Sequence, residues 1–78
     1  MKQEIEDAFN EVYHERKDKE LCPAFIKEVE AKLKNKFDAR FNIICMAGSS
    51  NSLIFKYRNI TYYIYFLWLS DKFKIEYM

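Results

Sequence analysis

Hydrophobic positions recur with two different periods along this chain, and the change falls near residue 38. In the first stretch Ile5, Ala8, Phe9, Val12 and Tyr13 return every three or four residues, while Glu4, Glu6, Asp7, Asn10, Glu11 and Glu15 face away. That spacing predicts an amphipathic helix over about 2–19. Its acids lie near the start and Arg16, Lys17 and Lys19 near the end, as the helix dipole favours. Pro23 sets a boundary, because the residue before a proline avoids the helical region and proline itself suits a first turn. Phe25, Val29, Leu33 and Phe37 then recur every fourth residue beside Ile26, which predicts a second helix over about 23–37. Glu28–Lys32 and Glu30–Lys34 are acid-first pairs one turn apart and support it.

Beyond Asp38 the period drops to two. Strands are expected over about 40–47, 53–58, 60–69 and 72–77, separated by Gly48–Ser52, Asn59 and Ser70-Asp71. Connections this short imply an antiparallel meander. The expected fold class is α+β: one domain over 1–78, with two N-terminal helices packed on one face of a four-stranded antiparallel sheet, ααββββ.

Alternation also assigns side chains to faces. Phe41, Ile43, Cys45, Leu53, Phe55, Tyr57, Tyr62, Ile64, Phe66, Trp68, Phe73, Ile75 and Tyr77 form an almost wholly apolar set, the face for the helices. The opposite face is polar at its margins, with Asn42, Lys56, Arg58, Lys72, Lys74 and Glu76. Its centre is not: Ile44, Met46, Ile54, Tyr63, Tyr65, Leu67 and Leu69 point there. One helical layer cannot cover both faces, so this patch is expected to meet a partner.

Charge sharpens the division. Residues 1–38 carry 8 basic and 10 acidic groups, whereas residues 39–78 carry 5 basic and 2 acidic. The total of +1 argues against a protein that coats nucleic acid or an anionic membrane. A hydrophobic content of 50% excludes a disordered tail. Burial worth about 25 cal/mol per Å² roughly cancels about 1.5 kcal/mol of ordering entropy per residue at this size, so a further stabiliser is needed. The seven Phe, six Tyr and one Trp suggest dense aromatic packing, or else self-association.

Chemistry is sparse. Cys22 and Cys45 lack CxxC spacing and have only His14 as a nitrogen ligand, so they read as reduced thiols, with no metal site and no cofactor expected. Gly48-Ser-Ser-Asn-Ser52 lacks the second glycine and the lysine of a phosphate-binding loop and reads as a hairpin turn. No base neighbours its serines in sequence, and the chain does not read as an enzyme. Acidic residues stand where a signal peptide would place its apolar stretch. The longest apolar run, Ile60–Leu69, is about half the ~20 residues that span a bilayer. The expected location is cytoplasmic, with no membrane partner.

Two helices followed by strands whose third reads Tyr63-Ile64-Tyr65-Phe66 resemble the dynein light chain family, the small dimeric hub type. The lysine-rich second helix, Ile26 to Phe37 with its closing aromatic, and Phe41 at the family's tryptophan position add to the likeness over roughly residues 23–68. The family's Phe-Gly-Ser turn, its His-Glu segment and its N-terminal strand are missing. The resemblance implies a homodimer that adds short linear peptides to a sheet edge, here Leu53–Arg58, with Tyr63 and Tyr65 lining the groove.

The functional expectation is therefore a non-enzymatic protein–protein interaction module. It is expected to be a homodimer that binds a partner protein or linear peptide through Ile44, Met46, Ile54, Lys56, Arg58, Tyr63, Tyr65 and Leu67. A monomeric inhibitor or immunity-type protein, of phage or bacterial origin, would use the same surface. Single-stranded nucleic acid is the third candidate, because Tyr63 and Tyr65 share their face with lysines.

Overall fold

Six elements follow the two periods. The computed structural model describes residues 1–78 and consists of α1 (Lys2–Arg16), α2 (Pro23–Lys36), β1 (Ile44–Ser49), β2 (Ser52–Tyr57), β3 (Ile60–Leu67) and β4 (Lys72–Tyr77). The strands form one antiparallel sheet in the order β1-β2-β3-β4. The fold is α+β, ααββββ.

The helices lay their apolar stripes on one sheet face, and aromatic rings fill the space between. Phe9 is the hub, with its ring centroid 6.0 Å from those of Phe25, Phe55 and Phe73. Phe66 adds an edge contact to Phe73 at 5.1 Å, and Phe55 stacks on Tyr62 at 5.3 Å. Six of the seven phenylalanines are buried; only Phe37 is not. Contacts of this kind contribute about 0.5–1.5 kcal/mol each beyond the area they bury. Dense aromatic packing, one of the two stabilisers expected for so small a core, is present. Both cysteines are free thiols.

Ion pairs staple the two helices from outside. Arg16 meets Glu28 at 2.8 Å, Lys32 meets Glu15 at 2.9 Å, and Lys36 meets Glu11 at 3.1 Å. Here α1 is three residues shorter than the sequence period suggests. Lys17 takes a left-handed conformation (φ 57°) and donates its N–H to the Tyr13 carbonyl, which stops the helix. The chain must reverse at this point to bring α2 back, and the Leu21 N–H bonds to the Ser50 carbonyl of the β1–β2 turn at 2.7 Å.

The strand boundaries shift for similar local reasons. Asp38 accepts the Arg40 N–H at 2.9 Å, and its own carbonyl accepts from Phe41, so residues 38–41 turn and β1 begins only at Ile44. Strand pairing consumes most of the serine-rich segment and leaves Ser50-Asn51 as the turn. In the β2–β3 hairpin Arg58 and Asn59 both have positive φ (51° and 65°), the geometry of a two-residue turn that matches strand twist.

The two sheet edges differ. Next to β4 lies α1, and two residues expected to face solvent point instead at the strand. Asn10 accepts the Phe73 N–H at 2.6 Å and donates to the Phe73 carbonyl at 3.1 Å. The buried Glu6 accepts the Ile75 N–H at 2.9 Å. At the other edge the Ile43 N–H reaches Glu30 of α2 at 2.7 Å, but Cys45 and Gly48, which alternation also turns away from β2, meet no side-chain acceptor.

Candidate functional site

The pairing register fixes the outer face. Ile44 lies opposite Lys56, Ala47 opposite Ile54, Ile54 opposite Tyr63, Lys56 opposite Thr61 and Ser52 opposite Tyr65. On the far side Tyr63, Tyr65 and Leu67 lie opposite Glu76, Lys74 and Lys72. Both helices occupy the other face, where every strand alternates to burial except β1, which is exposed along its length. Ile44, Ile54, Tyr63, Tyr65 and Leu67 therefore form one apolar tract, with Lys56 within it and Lys72 and Lys74 along its margin. The tyrosine rings stack on each other, with centroids 5.0 Å apart. Desolvation first, and then the neighbouring Glu76 carboxylate, raise the Tyr65 phenol pKa. The tract runs on into the β3–β4 turn, where Leu69 is fully exposed (104%).

Six of the eight residues expected at a partner surface, Ile44, Ile54, Lys56, Tyr63, Tyr65 and Leu67, are on this face. Two are not. A β-bulge between Cys45 and Ala47 inserts Met46 as an extra residue. Ala47 then takes the position opposite Ile54, and Met46, left without a pairing partner, lines a groove between α2 and β1 that Cys45 and Ala47 also line. Arg58 belongs to the hairpin turn, and its guanidinium pairs with Asp38 at 2.6 Å. The edge drawn from the light-chain resemblance also needs correction: β2 is interior, with β1 and β3 on its two sides, so Leu53–Tyr57 offers no free backbone.

Three residues assigned to the core face lie outside the core. Trp68 follows the end of β3 and is 64% exposed, touching Phe66 by its edge, with the Lys19 ammonium 4.6 Å from its ring. Tyr77 is 60% exposed and leans on Tyr62. Cys45 is exposed as well, because no helix reaches over β1. Desolvation and then the Glu30 carboxylate push the Cys45 thiol pKa up.

The groove between α2 and β1 has a volume of about 510 Å³ and is lined by Leu21, Pro23, Ile26, Met46 and Leu53, with Lys27 and Glu30 at its rim. It was not legible in the sequence, since it lies between α2 and β1, which local pattern does not place side by side. No three of the chain's His, Cys, Asp and Glu side chains cluster as metal ligands. No helix is long and apolar enough to cross a membrane. No family model, curated protein or solved structure matches the chain.

Proposed function

We propose that this chain is a non-enzymatic interaction module that binds a partner protein through the outer face of its sheet. One observation carries the reading: Ile54, Tyr63, Tyr65 and Leu67 form a half-buried apolar tract, with Ile44 beside Lys56 at its margin, on a face with no covering layer. Leaving such area in water forgoes about 25 cal/mol per Å², and sheet proteins usually place polar side chains on a solvated face. A half-buried apolar tract on an uncovered face is characteristic of interaction surfaces.

The test compares the wild-type chain with the double variant Tyr63→Ser/Tyr65→Ser, after far-UV circular dichroism has shown that both are folded. Both are immobilised and used to capture protein from a nuclease-treated lysate. Saturable capture by the wild type that the variant loses supports the reading. Equal capture by both chains overturns the choice of face. Capture that requires intact nucleic acid overturns the choice of partner class. Sedimentation equilibrium on the same pair identifies a second copy as the partner if the wild type dimerises and the variant does not.

A further inference from the structure

Resting on that reading of the face, we infer the chemistry of its partner: an acidic protein segment that sets carboxylates against Lys56, Lys72 and Lys74 and apolar side chains against Tyr63, Tyr65 and Leu67. The warrant is the charge balance of the face itself. Arg16, Lys32, Lys36 and Arg58 each meet a carboxylate within 4 Å. All four pairs lie on the helices or at the hairpin turn. Lys56, Lys72 and Lys74 project from the outer face by the pairing register, and none has an ion-pair partner. Of the chain's 12 acidic residues only Glu76 shares that face. Positive charge therefore outnumbers negative charge three to one on the face whose apolar tract the fold leaves uncovered.

In water these ammonium groups are well solvated. Once the tract is covered, Lys56 in the middle and the row along β4 lose part of that hydration, and a neutral partner offers nothing in return. Carboxylates placed opposite them offset the loss, steer the encounter and disfavour basic competitors. The same accounting weighs against a second copy, since two such faces bring six lysines and only two glutamates together.

A polynucleotide also carries the required sign, but the face suits it less well. Glu76 ends the basic row of Lys72 and Lys74 beside Tyr63, so a phosphate track along β4 would run onto a carboxylate. The two rings are stacked on each other at 5.0 Å, and their flanking neighbour across the strand is Ile54, not a further aromatic. Discrete carboxylates on a protein segment can meet Lys72 and Lys74 and leave Glu76 uncontacted. The tract from Tyr63 to Leu67 is about 13 Å long, enough for two to three helical turns or a short strand.

The experiment uses the full chain labelled with ¹⁵N and follows its amide shifts. One probe is a helical peptide of about 18 residues with a leucine face flanked by glutamates. The second has lysine in place of each glutamate, and the third is oligothymidylate of about 15 nucleotides. The expected result is that the glutamate peptide shifts the amides of Ile54, Tyr63, Tyr65 and Leu67. It should bind about tenfold or more tightly than its lysine counterpart and weaken with salt. The exposed double variant Lys72→Glu/Lys74→Glu should reverse the preference. Equal binding of the two peptides, tighter binding of oligothymidylate, shifts confined to the helices or the groove, or no binding by either peptide would each overturn the assignment. If face-dependent lysate capture persists while the assignment fails, the protein-binding reading stands and only the partner's charge is wrong. If that capture is absent as well, both fall.

Discussion

The two edge strands of this sheet meet the same hazard, a row of unpaired backbone groups that invites another strand, and they meet it differently. Beside β4 the answer is a helix. Glu6 and Asn10 are four residues apart, a rise of about 6 Å along α1, and the outward N–H groups of Ile75 and Phe73 are two residues apart, about 6.8 Å along an extended strand. The near match lets one helical face take two successive strand amides, at 2.9 and 2.6 Å. At β1 only the Ile43 N–H is taken in this way, by Glu30. From Cys45 to Gly48 the edge is bare, and its protection is geometric: the bulge at Met46 breaks the regular spacing that an added strand would need. One edge is sealed by hydrogen bonds and the other is only made irregular.

The largest effect is expected where the seal is broken. Asn10→Ala strands both polar groups of Phe73 and should cost about 2–3 kcal/mol, measured as a lower urea midpoint. Glu6→Ala should cost about as much, whereas Glu6→Gln, which keeps an acceptor for the Ile75 N–H, should cost less. Hydrogen exchange gives the comparison directly. The amides of Phe73 and Ile75 should be protected in the wild type and lose protection in the matching variant, while those of Cys45 and Gly48 should exchange quickly in both. Equal protection at the two edges would erase the distinction.

A smaller loss is expected from Gly48→Ala on the irregular edge. A Cβ there would lie 2.6 Å from the Ser52 carbonyl oxygen and 3.1 Å from Leu53, so the β1–β2 pair must shift, at about 1–3 kcal/mol. If urea denaturation shows no cost, the tight pairing of β1 onto β2 is not what holds that edge in place.

The smallest effect concerns the segment that leads into β1. Asp38 lies below its ordinary pKa of 3.8, chiefly because it accepts the Arg40 N–H, then because it accepts the Tyr57 hydroxyl, with the Arg58 charge adding to both. A carboxyl with a depressed pKa in the folded state contributes stability that is fully present above its unfolded value. That contribution is lost as pH falls through the lower folded value. Between about pH 5 and about pH 3 the wild-type urea midpoint should therefore fall more than that of Asp38→Asn. Parallel curves would show that Asp38 does not anchor the approach to β1.

Much of this was legible from local pattern. The stripe of Ile5, Ala8, Phe9 and Val12, the fourfold spacing of Phe25, Val29 and Leu33, and the alternation through β2, β3 and β4 each report which way a side chain points relative to its own backbone. Six residues of the candidate surface followed from alternation alone. The two that did not, Met46 and Arg58, are the residues at which alternation stops, one at a bulge and the other in a turn.

Glu6 and Asn10 show the other limit. On a helical wheel they belong with the solvent-facing acids, and their only distinguishing sign is a one-turn spacing along the border of the apolar stripe. Their role depends on β4 lying beside α1, which joins residues 63 and 69 positions apart in sequence. The sequence by itself determined the periods, hence the element types, the apolar faces and the surplus of apolar residues on the outer sheet face. Tertiary structure alone decided which edge was sealed, where a groove opened beside the bulge and which lysines were left without a partner. Periodicity is a property of neighbouring residues, whereas each of these outcomes depends on which distant element comes to lie alongside.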